Sequence, residues 1–190
     1  MRGIKRERII RILLIEKQIT KYRLAKLAEC SFPWVHEFLK LLEKKKLVKN
    51  TKVINKEKLI NYWLSIHKKP KYKEYMIQKP LEFLKSIRLE YALTTYQADN
   101  LIQHFLFPSR TDIYIKKNDL NKWHTLLVKN GLYGKGNFRI IIYDEHVFYK
   151  SEKVNNYNVV SLPQLIFDLK KEGGVCGEAA ERLLKRLKNV

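Results

Sequence analysis

The chain has 190 residues, enough for one large domain or two small ones, and 45% of them are hydrophobic, which supports packed cores and excludes wholesale disorder. Lys and Arg number 39 against 19 Asp and Glu, a net charge of +20, so its field attracts polyanions, nucleic acid first and acidic membrane second. No stretch approaches the ~20 apolar residues of a membrane helix, no signal-peptide order opens the sequence, and Cys30 and Cys176 are too few for a disulfide framework or a zinc site. The expectation is a reduced, cytoplasmic protein with no membrane partner, metal or cofactor. Lys enrichment of the thermophilic kind would explain part of the charge, but there Glu normally keeps pace. Here it does not.

The charge is uneven. Residues 1–69 carry 19 Lys and Arg against 6 acids, whereas 70–190 carry 20 against 13. The basic, proline-broken segment HKKPKYK (67–73) cannot continue a helix and marks the boundary. Two domains are expected, 1–69 and 70–190.

The first begins with a helix in IKRERIIRILLIEKQ (4–18), where Ile9, Ile10, Leu13 and Leu14 recur at helical spacing, with Arg and Glu on the other face. Thr20 is a good N-cap for KYRLAKLAE (21–29), whose stripe is Leu24, Leu27 and Ala28. Ser31 can cap a third helix, 32–46, with Pro33 in its first turn. There Val35, Phe38, Leu39 and Leu42 form one apolar face, so Pro33, Trp34, Glu37, Lys40 and Lys44 must point largely outward, with His36 on the flank. LVKNTKVI (47–54) reads as two short strands around Asn50-Thr51, and 55–67 as a fourth helix.

That order resembles the winged helix-turn-helix of prokaryotic transcription regulators, over about 65 residues. The resemblance implies that the third helix enters the major groove of double-stranded DNA, with the residues near its start reaching bases. Trp34 and His36 can then contact thymine methyls, bases or sugar-phosphate. Ser31, Pro33 and Glu37 share that surface. Lys40 and Lys44 suit phosphates, as do Lys21 and Arg23, while Lys49 and Lys52 would sit on the wing. Trp34 also has a plain alternative, packing against the second domain or a dimer partner. Palindromic operators favour a homodimer.

From residue 71 strands and helices mix, the pattern of an α+β domain around a mixed or antiparallel sheet. Strands are expected at 72–77, 91–95, 111–116, 137–144, 146–150 and 158–161. Helices are expected at 80–88, 96–105, 118–130, 162–172 and 177–188. GLYGKGN (131–137) looks superficially like a phosphate loop but lacks Gly-Lys-Ser/Thr, and a loop or hairpin turn explains it.

The tail VVSLPQLIFDLKKEGGVCGEAAERLLKRL (159–187), through Val160, Ser161, Gln164, Leu165, Asp168, Leu169, Gly173, Gly174, Glu178, Ala179, Ala180 and Leu183, resembles the C-terminal signature of the AbiEi-type antitoxin family. ALTTYQA (92–98) resembles another segment of that family, which then covers nearly the whole chain. The resemblance implies a regulator of a type IV toxin–antitoxin system that represses its own operon, with a nucleotidyltransferase-like toxin as companion. On the residues alone, Leu165, Ile166 and Leu169 read as a buried stripe, with Asp168 and Gln164 bonding the Gly173-Gly174 turn.

The second domain also resembles a degenerate nucleotidyltransferase-like fold. That chemistry needs a Gly-Ser loop and two carboxylates two residues apart on one strand face, holding Mg²⁺. Here the loop position reads Thr94-Thr95, and Tyr114 follows Asp112 where the second carboxylate would stand. No catalysis is expected, and Asp112 should either pair with a base such as Arg110 or lie at the surface. The alternatives are an RNA-binding protein, or an active nucleotidyltransferase using Asp112 and Asp144.

Overall fold

The structure is a computed structural model that describes residues 2–188; Met1 and 189–190, the outer ends of the two expected domains, lie outside the described residues. The chain is mixed α+β, 55% helix and 18% strand. It divides into two compact units, one running to Lys68 and including the residues from Leu184 onward, the other Lys69–Leu183. Among the described residues no helix is long and apolar enough to cross a membrane.

The first unit contains α1 (Arg2–Ile15), α2 (Lys21–Leu27), α3 (Phe32–Lys44), a hairpin of β1 (Val48–Lys49) and β2 (Lys52–Val53), and α4 (Lys56–Ile66). Thr20 caps α2 by accepting from the Arg23 amide (3.2 Å), and Asn55 caps α4 by accepting from Lys58 (2.9 Å). Ser31 occupies the N-cap position of α3, but its side chain makes no cap hydrogen bond. The hairpin pairs Val48 with Val53 and Lys49 with Lys52. Asn50 takes the left-handed conformation at φ 56° that this tight turn needs.

Helix α1 differs from its expected amphipathic form. Ile9, Ile10, Leu13 and Leu14 are buried, but so are Glu7 and Arg11. The Glu7 carboxylate accepts from Trp63 Nε1 (2.9 Å) and lies 2.9 Å from His67 Nδ1. The Arg11 guanidinium lies 5.0 Å from the Trp63 ring centroid. Burying an acid and a base is tolerable because each meets a polar or aromatic partner on arrival.

In the second unit a seven-stranded mixed sheet has the order β6-β3-β7-β5-β4-β9-β8. Its strands are β3 (Lys71–Ile77), β4 (Tyr91–Thr94), β5 (Thr111–Ile115), β6 (Gly131–Tyr133), β7 (Phe138–Ile142), β8 (Glu152–Val154) and β9 (Tyr157–Val159). The helices are α5 (Pro80–Lys85), α6 (Thr95–Gln103), α7 (Leu120–Asn130), α8 (Leu162–Glu172) and α9 (Val175–Lys188), the last belonging to this unit only as far as Leu183. Register sets Tyr91, Ile113, Ile115, Phe138 and Ile140 on one face, where Trp123 of α7 meets Tyr91 edge-on and Phe83 of α5 meets Phe138. Thr94, Asp112, Tyr114 and Arg139 share the opposite face, toward α8.

Three expected elements take another form. Residues 146–150 are not a strand; Glu145–Phe148 form a 3-10 turn, closed by Val147 N–H donating to Asp144 O (3.1 Å). Residues 131–133, expected as loop, form edge strand β6, paired antiparallel with β3. A Cβ at Gly136, in the turn that follows, would lie 2.3 Å from Tyr75 O, so only glycine lets the chain pass there. Helix α5 ends at Lys85 rather than continuing to 88.

Candidate nucleic-acid interface

The apolar face of α3 is Val35, Phe38, Leu39 and Leu42, all buried. That packing leaves Pro33, Glu37, Lys40, Leu41 and Lys44 exposed along one stripe. Pro33 is tolerated in the first turn because its missing amide has no helical partner there. Lys40 Nζ lies 3.1 Å from Glu37 Oε1, a fully solvated pair whose net worth is about 0–1 kcal/mol and which an incoming phosphate can displace.

Trp34 and His36 occupy the flanks. Trp34, expected to point largely outward, is half-buried and stacked on Phe38, with centroids 5.7 Å apart. It lines a groove of about 410 Å³ with Arg6, Glu37, Lys40, Leu41 and Lys44. Its ring therefore has both a packing contact and an open edge. His36 is held on the other flank: its ring stacks against Phe32 at 6.3 Å, and the Lys21 ammonium lies 3.4 Å from its Nδ1. With Lys21 as donor, Nδ1 accepts and Nε2 carries the proton.

A second basic concavity of about 450 Å³ joins the end of α1, the start of α2 and the hairpin. Lys17, Thr20, Arg23, Thr51 and Lys52 line it. The hairpin is anchored there by the Thr51 hydroxyl donating to Ile19 O (2.6 Å), and at its other side by the Asn50 amide donating to Glu43 Oε1 (2.6 Å). Burial, and then the charge of Lys17, hold the Lys56 ammonium below its ordinary value. Lys17, Arg23 and Lys52 together give this concavity a positive lining.

The structure therefore brings Pro33, Trp34, Glu37, Lys40 and Lys44 together on α3. It places Arg23 and Lys52 in a separate concavity, while Lys21 is tied to His36, Ser31 is exposed, and Lys49 lies across the hairpin from Lys52. Several residues of these surfaces escape a reading by periodicity. Tyr22 (74% exposed), Phe32 (47%) and Leu41 (37%) are large apolar side chains left in solvent in the same unit. Leu41 could have been found, since it falls outside the 35–38–39–42 stripe. Arg6 is not legible that way: its guanidinium stacks over Phe38 at 5.7 Å, and its Nε has no hydrogen-bond partner among the described residues.

The Asp112 region of the second unit forms a buried polar network. Arg110 donates from Nε and Nη2 to the two Asp112 oxygens (2.6 and 2.9 Å) and from Nη2 to Glu172 (2.9 Å). Burial pulls the guanidinium down, but its bonds to Asp112 and Glu172 outweigh that and hold it above its ordinary value. Thr95, at φ 50°, donates to Asp112 as well. Asp168 accepts from the Thr94 hydroxyl (2.7 Å) and the Tyr114 hydroxyl (2.8 Å), with Lys171 Nζ 3.7 Å away. Asp168 thus ties α8 to β4 and β5 rather than to the Gly173-Gly174 turn, and the Gln164 amide approaches the Tyr114 hydroxyl (3.4 Å). Most of the signature residues are core: Val160, Ser161, Gln164, Leu165, Asp168, Leu169, Ala179, Ala180 and Leu183 are all buried. Among the described residues no group of three His, Cys, Asp or Glu side chains is placed to hold a metal ion.

Comparison of the chain with protein-family models, curated proteins and solved structures returns no match.

Proposed function

We propose that this protein is a DNA-binding transcription regulator of the antitoxin-like kind, with the first unit as a winged helix-turn-helix that docks on double-stranded DNA. The observation that carries the reading is the stripe Pro33, Glu37, Lys40, Leu41 and Lys44 on α3, opposite a fully buried apolar face and followed at once by a Lys-bearing hairpin. Such a helix enters the major groove with base contacts near its N-terminal end and phosphate contacts farther along. Lys40, Lys44, Lys21, Arg23, Lys49 and Lys52 supply the phosphate contacts, and Trp34, His36 and Glu37 the sequence preference. The excess charge of residues 1–69 supports the same partner.

The second unit, in this reading, is a non-catalytic relative of the nucleotidyltransferase-like fold that serves assembly or recognition of a cognate toxin. Support comes from the chemistry of its acids. A metal ligand needs open lone pairs directed at the ion, whereas Asp112 is clamped by Arg110 and Thr95, and Asp168 by Thr94 and Tyr114. The resemblance to AbiEi-type antitoxins belongs to this proposal, as do autoregulation and a homodimer on a palindromic site.

Nuclease footprinting of the full chain on DNA upstream of its own gene tests the reading. A protected site of about 10 base pairs per bound unit, lost in the Lys44→Ala and Glu37→Ala double variant, is the expected result. Absence of any protected site, with structured RNA outcompeting duplex DNA, overturns it.

A further inference from the structure

The second unit holds a cavity of about 380 Å³, bordered by Lys79, Gln97, Phe107, Pro108, Ser109 and Thr111. The DNA-binding reading makes no use of it. Two of its walls are largely buried polar side chains whose polar atoms bond no described protein group and reach the solvent of the cavity. Gln97 is 5% exposed and Thr111 4%. Among the described residues neither side chain has a hydrogen-bond partner, and neither is sealed from solvent. Three polar neighbours, Thr95, Arg110 and Asn137, are by contrast paired. Thr95 bonds Asp112, Arg110 bonds Asp112 and Glu172, and Asn137 bonds both the amide and the carbonyl of Ile77 (3.0 and 2.9 Å). The Gln97 amide and Thr111 hydroxyl, bonded to no described protein group, border the cavity together. At its border Phe107 is 91% exposed, an aromatic ring with almost no packing against the protein.

We infer that this cavity binds a nucleobase. The Gln97 amide presents a donor and an acceptor side by side, the complement of a base edge, and the Thr111 and Ser109 hydroxyls can serve either role. The exposed Phe107 ring offers a stacking surface of the kind that holds unpaired bases. The volume lies at the small end of ligand sites, and the cavity is open to solvent, leaving room for the sugar attached to a base. Lys79, whose ammonium lies 3.3 Å from Glu82 on the surface, offers a cation to an attached phosphate. The base comes from a free nucleotide or from a single strand, and the cavity chemistry is shared by both.

The test is calorimetric titration of the full chain with adenosine, guanosine, cytidine and uridine, which are uncharged and so blind to the basic first unit. The 5′-monophosphates and short single-stranded oligonucleotides follow. Saturable binding of at least one nucleoside is expected, weakened roughly tenfold or more by Phe107→Ala, a change at an exposed site that leaves the fold intact. Gln97→Leu should weaken it by about the same factor, because it removes the edge contacts. Tighter binding of the monophosphate than of the oligonucleotide identifies a free nucleotide as the source, and the reverse identifies a strand. No binding by any probe overturns the inference, as does binding indifferent to either substitution. Since duplex binding is not required, failure here leaves the DNA-binding reading standing.

Discussion

Replacing Asp168 tests whether the second unit is organised around its buried acids. The carboxylate is 1% exposed and is the acceptor for the hydroxyls of Thr94 and Tyr114, themselves 0% and 1% exposed. In Asp168→Ala both hydroxyls lose that acceptor inside the fold, at roughly 1–3 kcal/mol each. Removing a buried charge returns part of its desolvation cost, so the net loss should be about 1–4 kcal/mol. Asp168→Asn keeps the volume and one acceptor oxygen, and should cost about half as much. Urea denaturation followed by circular dichroism measures both through the midpoint at constant slope. A loss under about 1 kcal/mol for the alanine variant would refute the reasoning, because unsatisfied hydroxyls that cost so little must have other partners. Equal losses for Asn and Ala would show that charge, not acceptor geometry, is what the site needs.

Four further outcomes follow from named groups. Gly173 ends α8 at φ 78° and ψ −165°, a region closed to side chains, so Gly173→Ala should lower stability by about 1–3 kcal/mol in the same urea assay. Burial, with Tyr133 adding to it, pushes the Tyr75 phenol up to about 12, and burial with the Cys176 hydrogen bond does the same for Tyr96. Because the folded chain holds these protons more tightly than the unfolded chain, their contribution is complete below pH 10 and is lost as pH rises toward 12. Melting temperature should accordingly fall across that window, and less steeply in Tyr75→Phe. On DNA, Lys44→Ala should reduce the salt slope of log K by about 0.9 on every duplex alike. Trp34→Ala should narrow the preference between sequences and, because the ring stacks on Phe38, also lower the melting temperature; unchanged preference would remove Trp34 from the reading surface.

The parts of the structure written locally were legible. Helix α3 was readable because Val35, Phe38, Leu39 and Leu42 keep a strict period, and the hairpin because Asn50 suits a left-handed turn. What failed depended on distant partners. Glu7 and Arg11 look like a solvated face until Trp63, more than 50 residues away, is packed against them. Asp168 lies close in sequence to the Gly173-Gly174 turn, yet its partners Thr94 and Tyr114 come from two strands more than 50 residues upstream. The segment 146–150 alternates like a strand, but hydrogen bonds to Asp144 and His146 wind it into a turn, and His146 stacks on Tyr149 at 5.0 Å. The outward stripe of α3 follows from its apolar period, whereas Arg6 reaches the same groove from α1 and belongs to no local pattern.

Recognition of duplex DNA is measured by fluorescence anisotropy with two labelled duplexes, one from upstream of this gene and one of random sequence, at two salt concentrations. Both should weaken as salt rises, through phosphate neutralisation, while the upstream duplex keeps its advantage at the higher salt through contacts made by α3. Equal binding to both, erased together by salt, would contradict that recognition and reduce the charge of residues 1–69 to a general affinity for polyanions.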